Sequence, residues 1–192
     1  MGATRRHAHD LARFLRGEVD RVRRLDLLTA AGRRTPFAGV GIDAAVLNDY
    51  VWMKERLADT PLRPFGLGAA GYGLAVAMRS VPRHLLERRP TYAEIVNVGR
   101  PAWRLDARGV RVGRPIGHGE LLYAGPCMLA AASTVPCYGL GMRMFPFADR
   151  APGMMQIRVA SPIGIPTLLA SLPRIWSGRF EHDGLLDFHA DR

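Results

Sequence analysis

Tyr92-Ala-Glu-Ile-Val-Asn-Val-Gly-Arg-Pro-Ala-Trp-Arg-Leu-Asp-Ala-Arg-Gly-Val-Arg-Val112 is where the hydrophobic period changes from helical to two. Side chains alternate across a strand, so a strand with one covered face reads apolar-polar in strict succession. Ile95-Val96 begins such a strand. Trp103 and Leu105 alternate with Arg104 and Asp106, Asp106-Ala-Arg-Gly109 supplies turn residues, and Val110 and Val112 alternate on the way back. This is a hairpin signature, and it makes the centre of the chain antiparallel β.

Toward the N-terminus the pattern is helical. Val46, Tyr50, Met53 and Leu57 fall at i, i+4, i+7 and i+11, one face of a helix that opens at Asp43 and is broken by Asp59-Thr60-Pro61. Glycine-rich Gly66 to Gly73 leads into a second helix with Leu74, Met78 and Val81 on one face, ended or bent by Pro82. Further upstream, Arg24 to Ala30 reads as a strand. Gly32-Arg-Arg-Thr35 reads as a turn, and the chain returns through Pro36 to Val40. Residues 1–18 form a separate segment, a short polar helix or a ragged start, with a weak stripe of Leu11, Phe14 and Leu15 ended by Gly17.

Toward the C-terminus, Leu121 to Met128 and Met155 to Val159 add strands around a Gly/Pro-rich stretch. A helix then starts near Pro166, a residue suited to a first turn. Leu168, Leu169, Leu172, Ile175 and Trp176 make its expected buried face, Pro173 bends it, and Gly178 fits the position just past its end. Leu185 to Phe188 begins a last strand. The order of a strand pair, two helices, several strands, a helix and a strand predicts an α+β domain, mostly antiparallel, over residues 19–192.

The 192 residues carry 27 Lys and Arg against 17 Asp and Glu, a net charge of +10, at 48% hydrophobic content and near-zero mean hydropathy. That composition builds a core and excludes a disordered tail. The excess of arginine points to an anionic partner or to compositional bias. Aromatic interleaving and nucleic-acid-reading motifs are lacking, which argues against nucleic acid. Cys127 and Cys137 stand in no metal-ligand spacing and fit a reducing compartment. No stretch approaches the ~20 apolar residues of a membrane span and no apolar run follows Arg5 and Arg6, so the expectation is a cytoplasmic protein, peripheral at most to the inner membrane face.

Four stretches together resemble the bacterial diacylglycerol kinase and sphingosine kinase family. Phe37-Ala-Gly-Val-Gly-Ile-Asp-Ala-Ala-Val46 is similar to its Phe-x-Asn-x-x-Gly-Phe-Asp-Ala-x-Val segment, and Tyr72-Gly-Leu-Ala75 to its Tyr-x-Leu-Ala. Tyr138 to Gly153 is similar to the segment ending Pro-x-Ala-Asp-x-x-Asp-Gly. Leu168 to Arg179 is similar to a leucine-spaced helix closing on Gly-x-His. The resemblance implies the β-sandwich C-terminal domain of a lipid kinase with two to three packed helices. Its partner would be an ATP-binding α/β domain with a Gly-Gly-Asp-Gly-Thr phosphate loop, and neither that loop nor the family's late Asp-Gly-Glu occurs in this chain. The implied function is the lipid-binding half of an ATP- and Mg²⁺-dependent kinase acting on a diacylglycerol-like or sphingoid hydroxyl. The fragment by itself would be inactive, with no catalytic residue and no cofactor of its own. The alternative is a non-catalytic lipid-binding or regulatory module of the same fold.

By that resemblance Asp43 contacts the lipid head group and Tyr72 belongs to the substrate site. Asp43 is equally suited to start a helix as its N-cap. Asp149 lies where the family holds Mg²⁺, but Ala151-Pro152 replaces the usual acidic partner, leaving one carboxylate or a plain turn residue. The Gly66–Gly73 stretch matches Gly-x-Gly-x-x-Gly but has prolines where a phosphate loop needs a strand, so it reads as a helix start. Asp187, His189 and Asp191 share one strand face, either a metal site or a solvated face, and His118 is a loop residue. Met142, Met144, Met154 and Met155 line an acyl pocket or fill the core. Arg143, Arg158, Arg174 and Arg179 are candidates for docking on anionic lipid.

Overall fold

A computed structural model describes residues 7–18, 24–61, 63, 71, 75, 78, 82, 91–138 and 141–192. The second predicted helix, with Tyr72 and most of the Gly66–Gly73 stretch, lies outside the described residues. Among those described, the elements run α1 (His7–Leu15), β1 (Leu28–Ala30), β2 (Arg33–Thr35), β3 (Phe37–Gly41), α2 (Ile42–Leu57), β4 (Thr91–Val96), β5 (Ala102–Leu105) and β6 (Arg111–Ile116). They continue β7 (Leu121–Cys127), β8 (Leu129–Ser133), β9 (Met155–Ala160), α3 (Ile165–Ser177) and β10 (Leu185–Ala190). The protein is α+β, and every strand pairing among the described residues is antiparallel.

Six strands form the main sheet in the order β3-β8-β9-β10-β5-β6, while β4 pairs with β7 and β1 with β2. One face of the main sheet is apolar. Ala130, Ile157, Val159, Phe188 and Ala190 pack there with Leu122 and Cys127 of β7 and with Ala93 and Ile95 of β4. Each large side chain so buried contributes about 1.5–3 kcal/mol. The hairpin read from sequence is present. Asp106 Oδ1 accepts the N–H groups of Arg108 (2.9 Å) and Val110 (2.8 Å), holding the turn between β5 and β6.

Three predicted elements are redrawn. The first strand is only Leu28–Ala30, and its turn is Ala31-Gly32, both at positive φ (49° and 73°), so Arg33–Thr35 is the returning strand. Two successive positive φ values make the tight turn whose twist suits a hairpin, and that leaves Phe37–Gly41 free to join the main sheet beside β8. Strand β8, Leu-Ala-Ala-Ala-Ser, was not anticipated. Alanine favours helix in isolation, but between β3 and β9 each of its faces is covered, and small side chains fit a strand packed on both sides. The buried face of α3 is narrower than predicted: Leu168 and Ile175 turn inward, whereas Leu169, Leu172 and Trp176 are 52%, 48% and 46% exposed.

Helix α2 buries the face its spacing predicted, with Val46 buried and Tyr50, Met53 and Leu57 half-buried. Its N-cap is Gly41 and not Asp43. Gly41 sits at φ +112°, where a Cβ would collide with the Met128 carbonyl. That same carbonyl accepts the N–H of Ile42 at 2.8 Å. Only glycine permits both the conformation and the approach, and together they pin the start of α2 to the junction of β7 and β8.

Candidate functional site

The second face of the main sheet is built differently. Gln156 and Arg158 alternate with Ile157 and Val159 along β9, so they point away from the apolar core. Asp187 and His189 do the same on β10, and the register sets Asp187 opposite Arg158 and His189 opposite Gln156. All four are buried. Arg158 grips Asp187 with two parallel bonds, Nε to Oδ1 and Nη2 to Oδ2, both 2.8 Å, and its Nη1 donates to the Met144 carbonyl at 2.6 Å. Gln156 Nε2 donates to Asp187 Oδ1 at 2.6 Å, and Gln156 Oε1 accepts the Phe147 N–H at 2.8 Å. A buried fork of this kind is held by mutual satisfaction, and removing one partner leaves a charge stranded.

His189 Nε2 lies 2.9 Å from the Phe147 carbonyl. Burial holds its pKa below the usual imidazole value, while the carbonyl bond and Asp187 pull weakly the other way. The ring is therefore neutral at pH 7. Because a carbonyl only accepts, the proton sits on Nε2. The four residues thus clamp the 144–147 loop to the sheet, and Phe145 within that loop is fully buried.

Beside this clamp lie two chambers. An apolar slot of ≈ 90 Å³ runs between the sheet and α3, lined by Ile42, Met128, Met144, Leu168 and Ile175 among others. A more polar cleft of ≈ 220 Å³ opens next to it, lined by Asp106, Arg179, Glu181, His182 and Asp183 around the Arg158–Asp187 pair. Arg158, Phe180 and Leu185 border both chambers. Each chamber, the slot at ≈ 90 Å³ and the cleft at ≈ 220 Å³, is smaller than the ~300 Å³ lower end of small-molecule sites. One end is hydrocarbon and the other is hydrogen-bonding, so the pair suits an amphiphile.

The sequence candidates fall as follows. Asp43 is the second residue of α2, next to the slot-lining Ile42, and its side chain lies outside the described residues. A carboxylate in a first helical turn also complements the helix dipole. Tyr72 lies outside the described residues. Asp149 is exposed, in the turn that follows Phe147. Among the described residues no group of three or more His, Cys, Asp or Glu is placed to hold a metal ion. His118 occupies an exposed turn.

Two expectations are corrected. Asp187 and His189 are not on a solvated strand face, because Arg158 and the Phe147 carbonyl supply the partners that make their burial tolerable. Asp191 does not share their face; it lies past the end of β10 and pairs with Arg100 at 2.7 Å, which holds its carboxyl below the usual range. Arg158 likewise leaves the lipid-docking set, being buried in the clamp. Of the methionines, Met144 lines the slot and Met155 packs against the apolar core. The clamp itself escaped the sequence reading. Its signal was the alternation Gln156-Ile-Arg-Val159 set against Asp187-Phe-His189, polar residues inside two otherwise apolar strands.

No family model and no curated protein matches this sequence.

Proposed function

We propose that this chain is the lipid-binding half of an ATP- and Mg²⁺-dependent lipid kinase that presents a diacylglycerol-like or sphingoid hydroxyl for phosphorylation. The observation that carries the reading is the apolar slot under α3, flanked by Ile42, next to Asp43, and opening at Arg158 and Phe180 onto a polar cleft. An acyl chain placed in the slot would leave its head group among hydrogen-bonding side chains. The small β4–β7 sheet laid on the six-stranded one fits the β-sandwich of the lipid kinase type. The Tyr138–Gly153 and Leu168–Arg179 segments of the family resemblance supply the clamped loop and α3, two walls of the slot.

In this reading Asp43 orients the lipid hydroxyl, and the ATP lobe with its phosphate loop comes from outside these residues. Transfer would rest on positioning and on neutralising the charge of the moving phosphoryl group. The test is transfer of labelled phosphate from ATP to a panel of diacylglycerols and sphingoid bases. It is run with the protein at its natural length and with residues 1–192 alone. Transfer by the first and not by the second is expected, and Asp43→Asn lowers it at least ten-fold while costing only about 0.3–1 kcal/mol of stability. Lipid bound by both but phosphorylated by neither favours the non-catalytic module. Activity in residues 1–192 alone, or equal losses of activity and stability in Asp43→Asn, contradicts the assignment.

A further inference from the structure

Helix α3 is apolar on two sides. Its inner side, Leu168 and Ile175, closes the slot. Its outer side carries Leu169, Leu172 and Trp176, spaced i, i+3 and i+7 and each about half exposed. Three large apolar side chains on one ridge of a 13-residue helix that has no acidic residue form a patch of the sort that marks an interaction surface.

What the ridge faces is suggested by the charges beside it. The Arg143 N–H donates to the Trp176 carbonyl at 3.1 Å, and the Arg179 N–H donates to the Arg174 carbonyl at 2.8 Å. Gly178, at φ +72°, ends α3 so closely against the next segment that a Cβ there would lie 3.0 Å from the Cβ of Arg143. Arg143 and Arg179 are exposed, and these backbone contacts place them within about a turn of Trp176, whereas Arg174, two residues before Trp176 on the helix, projects from the opposite side of α3. A tryptophan at the border of an apolar ridge and a pair of cations matches the layering of a bilayer surface, where the ring sits at head-group depth and arginines meet phosphate. The chain's net charge of +10 acts in the same direction.

We propose that α3 is the membrane-docking element of this protein. Leu169, Leu172 and Trp176 enter the head-group region of an anionic bilayer, and Arg143 and Arg179 hold its phosphates. The ligand chemistry is shared with the lipid reading above, but docking does not depend on catalysis: the ridge can bind a bilayer whether or not a lipid enters the slot.

The experiment is co-sedimentation of the chain with vesicles of phosphatidylcholine alone and of phosphatidylcholine with phosphatidylserine. Binding is expected to the anionic vesicles, weakening with salt. Neutralising each arginine lowers partitioning about five-fold, equivalent to ~1 kcal/mol per cation near an anionic surface. Leu172→Glu lowers it at least about ten-fold, while Leu121→Glu, on β7 across the main sheet, leaves it unchanged. In a Trp52→Phe, Trp103→Phe background, which isolates Trp176, fluorescence shifts to the blue on binding and is quenched by brominated acyl chains. Three results overturn the proposal. They are failure to bind anionic vesicles, binding that Leu172→Glu and Arg179→Glu leave intact, and a dimer in solution that Leu172→Glu dissociates without vesicle binding. The last would make the ridge a contact between copies of the chain.

Discussion

The two faces of the six-stranded sheet use the same strands to opposite ends. On one, Ile157, Val159 and Phe188 meet the β4–β7 sheet in an apolar layer. On the other, their sequence neighbours Gln156, Arg158, Asp187 and His189 form a buried polar clamp, and both the slot and the cleft border it. Hydrophobic contact needs no directional partner, so it tolerates exchange of one apolar side chain for another of like volume. The clamp is directional. It fixes the 144–147 loop at one place over the sheet, and Met144 of that loop is a wall of the slot. The first face is an apolar layer throughout, while the second combines the clamp with an apolar cluster of its own around Leu129, Phe145, Ala160 and Ile163.

The largest expected effect breaks the second face. Asp187→Ala strands the Arg158 guanidinium and should cost about 3–5 kcal/mol in urea unfolding, whereas replacing both Arg158 and Asp187 by apolar residues should cost less than that single change. Ile157→Val, on the first face, should cost only about 0.5–1.5 kcal/mol and leave ligand binding as it was. A smaller, pH-dependent effect follows from His189. Its pKa is lower folded than unfolded, so the unfolded chain takes up the proton first and stability is lost as pH falls below about 6.5. Unfolding measured between pH 7.5 and 5.5 should show that loss, and His189→Gln, which keeps a neutral donor for the Phe147 carbonyl, should flatten it. Smallest is Asp191→Ala. Arg100 is 70% exposed, and a pair of this kind contributes about 0.2–1 kcal/mol.

The same contrast explains what was readable beforehand. Period-two alternation made β5 to β7, β9 and β10 legible in outline, as were the inner face of α2 and the glycine that ends α3; β4 was not, because its strand was expected to begin at Ile95-Val96, where Thr91–Val96 ends. Strand β8 was not, because alanine carries no alternation and its strand state comes from neighbours distant in sequence. The clamp pairs Arg158 with Asp187, 29 positions apart, and only the antiparallel register of β9 and β10 brings them together. The inward reading of Leu169, Leu172 and Trp176 failed for a related reason: spacing marks an apolar face but does not tell a covered face from an exposed one. Asp43 was legible as a position at the start of a helix, while the slot beside it needed the fold.

The most direct test of the central claim, that the clamped face holds the lipid site, is photocrosslinking with a diacylglycerol bearing a diazirine in its acyl chain, the labelled residues being mapped by mass spectrometry. The account predicts label on Met128, Met144, Leu168 and Ile175, competed by unlabelled lipid. Label confined to β4 and β7, or label that lipid does not compete, would contradict it.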